Sequence, residues 1–191
     1  MAEQRDIEVA FNGDDAPQDI LDNDDLTIEE MDARYESVAK SIGYVVVHFN
    51  ALDDLVSMVV SDLTFPRLGT QDERSAVFLT EMTFSQRVAT LMKRYGLRAK
   101  FEEVENYSDR LKSIGQRLRE SAKRRNQYAH ADWLGSESMT FVMIRTKVSR
   151  QKDRVYHQYR SFSADEMKDD LAYIRQTVAE LDDFHYDVFC Q

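Results

Sequence analysis

Eleven apolar side chains between Ile28 and Leu63 follow one another in strictly alternating steps of three and four: Ile28, Met31, Tyr35, Val38, Ile42, Val45, Phe49, Leu52, Val56, Val59 and Leu63. That spacing keeps all of them on one side of an α-helix. Pro66 and Gly69 follow as stop signals, and Gly43 is a place for a bend. So long a stripe is more than a lone globular helix can use. It calls for the neighbours of a bundle, or for a dimer interface.

Shorter helical stripes follow. One is expected from about residue 72 to 95 on Val77, Phe84, Val88, Leu91 and Tyr95, with Gly96 as its stop. Another is expected from about 104 to 128 on Tyr107, Leu111, Ile114 and Leu118. Residues 139–148 and 154–162 then turn strand-like around the polar turn 149–153, which predicts a hairpin. Ser163 and Glu166 form a capping box before a last helix on Met167, Leu171, Ile174, Val178 and Leu181. Residues 1–24 are acidic, hold Gly13 and Pro17, and read as a disordered tail. The expected fold class is mainly α: an up-and-down four-helix bundle with a small β-hairpin (about 139–162) inserted before the last helix, forming a single domain over residues 25–191.

Charge is unevenly distributed along the chain. Residues 1–27 carry nine acids against Arg5 alone, so most of the formal net charge of −10 lies there. Residues 87–130 hold twelve Lys or Arg against five acids, and residues 139–160 hold six against one. These two segments could present a positive surface to a polyanion, or could be solvated faces balanced by the acidic stretches 28–86 and 161–191. No apolar run approaches the roughly 18 residues that span a bilayer, and the acidic N-terminus has no signal-peptide pattern. Cys190 is the single cysteine, which suits a reducing, cytoplasmic location. One cysteine and four scattered histidines give no metal-ligand spacing, so no metal or cofactor is expected and a metal hydrolase ranks low.

The run Arg125-Asn126-Gln127-Tyr128-Ala129-His130, followed by Asp132 and Trp133, stands where the third stripe ends. Continued by the same steps, that stripe passes through Ser121, Arg125 and Tyr128, and a guanidinium on a burying line needs partners. Asn126 and His130 are four apart and share a face if the helix persists, whereas Arg125 and His130 are offset. Metal-free cleavage of RNA needs a group to move the ribose 2′-hydroxyl proton and a cation to hold the phosphorane. His130 suits the first task, Arg125 suits the second through paired charge-assisted hydrogen bonds, and Asn126 would orient the phosphate or the helix end. The structural alternative pairs Arg125 with an interior carboxylate and makes His130 a helix cap.

This segment resembles the signature of the HEPN superfamily, helical bundles with an Arg-x4–6-His motif near a helix end and a polar residue after the arginine. Arg125, Asn126 and His130 match it. Trp133 stands where many small bacterial members have a tryptophan after an Ala-His-Gly run, with Ala131 here in place of that glycine. The resemblance extends loosely over residues 28–188. It implies a metal-independent endoribonuclease working as a homodimer with two motifs facing one cleft. The offset between Arg125 and His130 closes by fraying or bending at the helix end, or across such a two-fold axis, where Arg125 of one subunit could serve the phosphate beside His130 of the other. Toxin or phage-defence roles and a protein inhibitor would be in keeping with it. Inactive members imply the alternative, a scaffolding or nucleotide-binding module, with the acidic tail as an interaction or autoinhibitory segment.

Supporting roles are expected around the motif. Glu81 interrupts the second stripe and is a candidate to pair with Arg125. Tyr128 lies on the burying line, Asp132 follows the motif, and Trp133 is expected to cover the helix end, with base stacking as the less favoured role. Asn50, Asp53 and Asp54 read as a solvated helix edge, with lining a cleft as the less favoured role, His48 as a neighbour of the core stripe, His157 as a cross-strand residue and His185 as a satisfied interior or packing histidine.

Overall fold

The computed structural model describes residues 6–10, 27–65, 73–98, 104–135, 141–149, 154–162 and 164–189. In chain order these form β1 (Asp6–Ala10), α1 (Ile28–Thr64), α2 (Glu73–Thr80), α3 (Phe84–Arg98), α4 (Tyr107–Ala129), β2 (Asp132–Gly135), β3 (Phe141–Ser149), β4 (Arg154–Phe162) and α5 (Ala164–Phe189). The chain is mainly helical, but the expected four-helix bundle with one inserted hairpin is not what it forms. Among the described residues there are five helices, and the strands join in one antiparallel sheet of order β1-β4-β3-β2.

Two local causes account for the difference. The second stripe runs through a break, because Thr83 and Gln86 make a reciprocal capping box that starts a new helix. The Thr83 amide donates to Gln86 Oε1 at 2.7 Å, and the Gln86 amide donates to Thr83 Oγ1 at 3.3 Å. The β3–β4 pair also gains a strand on each side. The Asp6-Ile7-Glu8-Val9-Ala10 alternation pairs with residues 156–160 of β4, and β2 pairs with residues 141–144 of β3. The first of these strands falls within the stretch read as an acidic tail; the rest of residues 1–24 lies outside the described residues, as does Ser163, the expected cap of α5.

α1 is a single helix opened by a capping box of Thr27 and Glu30, with the Thr27 amide 3.0 Å from Glu30 Oε2. It stops at Thr64 because Pro66 disfavours the helical conformation at the residue before it. Gly96 does not end α3, which continues to Arg98. Asn106 takes the left-handed φ of 53° just before α4, a conformation that asparagine tolerates.

The chain divides into two compact units, Met1–Val45 with Asn126–Asp169, and Val46–Arg125 with Asp170–Gln191. The first contains the sheet and buries Val38, Val45, Tyr128 and Met167. The second is helical. Its core is Phe49, Leu52, Val56, Val59, Val60 and Leu63 of α1, Val88, Leu91 and Tyr95 of α3, Leu111, Ile114 and Leu118 of α4, and Ile174, Leu181 and Phe184 of α5. Gly115 brings α4 close to α3, since a Cβ there would lie 2.8 Å from the Met92 sulfur. The stretch Val38–Thr64 has the length and apolar content of a membrane-crossing helix, a test that the core helix of a bundle also passes.

Candidate functional site

The sequence motif falls at the end of α4 and at the boundary of the two units, so its residues are placed within each. In the first unit, Asn126 is exposed on the last turn of α4, and His130 is exposed in the turn immediately beyond Ala129. The last carbonyls of a helix have no partner within it and point outward. One of them, that of Tyr128, accepts a hydrogen bond from Trp133 Nε1 at 3.1 Å. The Tyr128 and Trp133 rings also stack, with centroids 5.7 Å apart and planes 1° from parallel. Tyr128 is buried, so this pair ties the first residues of β2 to the helix end and fixes the turn that carries His130. Trp133 therefore gives one ring face to Tyr128. Asp132 lies in β2, with its side chain outside the described residues.

In the second unit Arg125 is half-buried on α4, its guanidinium carbon 5.4 Å from the centre of the Phe49 ring. Phe49 packs against Phe84 at 4.9 Å. One turn along α1 from Phe49 stands Asp53, whose carboxylate lies 2.7 Å from Arg87 Nη2 and also feels the charge of Arg125. Burial pushes the Asp53 carboxyl above its ordinary range, and the Arg87 ion pair only partly opposes this. Two guanidiniums, one carboxylate and two aromatic rings from α1, α3 and α4 thus form one cluster.

The expected carboxylate partner is corrected by this placement. Glu81 is exposed in the turn after α2 and enters no ion pair among the described residues, while Asp53, read as a solvated edge, is an acid in the field of Arg125. The Phe49-x3-Asp53 spacing placed both on adjoining turns of one helix face, and that signal was in the sequence. Glu81 interrupts a helical stripe, but that stripe itself crosses the helix break set by the Thr83–Gln86 capping box.

The basic segment 87–130 is neutralised over much of its length within the helical unit. Arg87 pairs with Asp53, Arg110 with Asp187, Arg117 with Glu180, Lys123 with Glu120, and Arg124 with both Glu120 and Asp170. Arg117 and Arg124 also lie 4.3 and 4.0 Å from the centre of the Tyr173 ring, so α4 and α5 are joined by cation–π contacts as well as ion pairs. Elsewhere in this unit His48 Nε2 accepts from Arg175 Nη2 at 2.8 Å, and burial together with that cation holds the His48 imidazole below its ordinary range. Among the described residues no three His, Cys, Asp or Glu side chains converge as a metal-ligand set. No protein-family model, curated protein or solved structure matches the chain.

Proposed function

We propose that this protein is a metal-independent endoribonuclease in which His130 moves the proton of the attacking or leaving ribose oxygen and Arg125 holds the phosphate. The observation that carries the reading is the setting of His130. The imidazole is solvent-exposed, it follows directly on a helix end, and its turn is fixed by the Trp133–Tyr128 contact. A general acid or base must reach its proton within about 3 Å, which an exposed side chain on a rigid turn satisfies once substrate docks. Asn126, exposed one turn earlier, supplies an amide for a neighbouring phosphate oxygen. The resemblance to HEPN proteins supplies the reaction class, a homodimer with facing motifs, and a role in toxicity or phage defence with a protein inhibitor.

A second reading has its own support. Arg125 is half-buried against Phe49 in a cluster that already contains Asp53, the setting of a structural arginine. That arrangement favours a non-catalytic bundle that binds a protein or a nucleotide.

Cleavage of structured and single-stranded RNAs in excess EDTA separates the two. The wild type is compared with His130→Ala, whose exposed side chain folding does not need, and with Arg125→Lys, which keeps the charge but loses the planar fork. The nuclease reading expects EDTA-resistant cutting that falls at least about a hundredfold in His130→Ala, the usual worth of an acid–base group. Equal signal in all three folded proteins overturns it. Sedimentation of the wild type tests the homodimer separately.

A further inference from the structure

The helical unit contains a buried chain of polar groups that the proposed nuclease does not use. Tyr95 of α3, fully buried, has its hydroxyl 2.7 Å from Nδ1 of His185 on α5, and Nε2 of the same ring lies 3.3 Å from Asp62 Oδ2 on α1. The carboxylate can only accept, so Nε2 carries the proton, and Nδ1 must then accept from the tyrosine hydroxyl. The three groups are satisfied in one tautomer of a neutral imidazole.

We propose that the Tyr95–His185–Asp62 chain is a pH-sensitive latch on the C-terminal turns of α5, closed while the imidazole is neutral and released when it takes a proton. Protonation puts a second N–H where Nδ1 now accepts, so the Tyr95 hydroxyl must turn its own proton elsewhere inside the core. The ring would also carry charge where little water reaches it. The groups around it act unequally. Burial, the largest influence, holds His185 below the ordinary histidine range; Asp62 of α1 and Asp182 of α5 oppose this, and Arg98 of α3 adds to it. From α4, Tyr107 donates to the Tyr95 carbonyl at 2.9 Å and fixes the backbone beneath the latch. The segment at stake is the last turns of α5, where Phe184 packs on Tyr95 at 5.0 Å and Phe189 lies 4.5 Å from the His185 ring.

The sign follows from linkage. A folded-state pKa below the unfolded value means that the unfolded or locally opened chain binds the proton more tightly. The latch therefore contributes stability in full above about pH 6.5 and loses it as the pH falls.

Imidazole nitrogen NMR of the full-length protein from pH 8 to 5, with hydrogen exchange over residues 181–188, tests this directly. Expected are the Nε2–H tautomer for His185, a titration below that of an ordinary histidine, and exchange protection that falls by up to about tenfold per pH unit from about pH 6.5 down to the His185 midpoint and levels off below it. Tyr95→Phe removes the donor that favours the neutral ring and keeps the packing, so the His185 midpoint moves up. His185→Gln removes the pH response of the segment, and His48→Gln identifies the resonances of the other titrating imidazole of this unit. An Nδ1–H tautomer, an ordinary or raised midpoint, or protection that is flat between about pH 6.5 and the His185 midpoint overturns the latch. If His185→Gln does not fold, the direction of the Tyr95→Phe shift still decides.

Discussion

Removing Arg87 is expected to destabilise the protein more than removing the charge of Asp53, although the two share one ion pair. Their side chains are 16% and 28% exposed, and the guanidinium lies 2.7 Å from the carboxylate. Burial nevertheless outweighs the guanidinium, leaving the carboxyl above its ordinary range. Arg87→Met leaves a desolvated carboxylate with only the more distant pull of Arg125. Breaking a fully buried pair from one side costs about 3–5 kcal/mol, and solvent access at this site brings that to roughly 2–3 kcal/mol. Asp53→Asn removes the disfavoured charge and keeps an oxygen for Arg87, at a cost of about 1 kcal/mol or less. The double variant is then more stable than Arg87→Met alone by about 1 kcal/mol. The pH dependence has a definite sign. A carboxyl whose folded value lies above its unfolded 3.8 binds protons more tightly when folded, so acidification through the folded value favours the native state. The Arg87→Met deficit shrinks as the pH approaches that value, and Asp53→Asn abolishes the effect. Urea denaturation at pH 7 and 5 measures all four proteins. If Asp53→Asn costs as much as Arg87→Met, or the double variant is no better than Arg87→Met, the reasoning about desolvation is wrong.

Other perturbations probe separate parts of the fold. Leu118→Ala deletes a fully buried side chain of α4 and is expected to cost about 2–5 kcal/mol in chemical denaturation. Trp133→Phe keeps an aromatic ring against Tyr128 but removes the N–H to its carbonyl, with an expected loss of about 1 kcal/mol in thermal unfolding. His48 is held below its ordinary value by burial and by Arg175, so its contribution to stability is present above about pH 6.5 and lost on acidification; His48→Gln flattens that part of the pH–stability curve.

The legible parts of this fold were those set by local periodicity. Phe49, Leu52, Val56, Val59 and Leu63, read as one stripe, are buried in the helical unit, because a helix repeats its face every three to four residues regardless of its neighbours. The second stripe misled for the same reason. Val77 and Phe84 keep helical spacing across a capping box, and Val77 is exposed in α2 while the helix restarts at Phe84. The pairing of β1 with β4 joins residues about 150 positions apart, and no local pattern specifies so distant a partner. At the candidate site the motif residues stood out as types and spacing, whereas the choice of Asp53 over Glu81 beside Arg125 depended on how α1, α3 and α4 meet.

Salt dependence offers a sharper test of RNA recognition than the count of basic residues. Residues 87–130 look strongly cationic on paper, yet Arg87, Arg110, Arg117, Lys123 and Arg124 are committed to carboxylates of the same unit. Lys93, Arg94, Lys112 and Arg119 are exposed and enter no ion pair among the described residues. Each phosphate neutralised on a single strand contributes about −0.7 to the slope of log affinity against log salt. Engagement through Arg125 and one further cation therefore gives a slope near −1.4, and a band that also recruits those four cations gives about −4. Titrating a fluorescent 2′-deoxy-blocked oligonucleotide between about 50 and 200 mM salt distinguishes them. A steep slope unaltered by Arg125→Lys would place the nucleic acid on the exposed lysines and arginines and away from the proposed dyad. A shallow slope with affinity lost in that variant would tie binding to the end of α4.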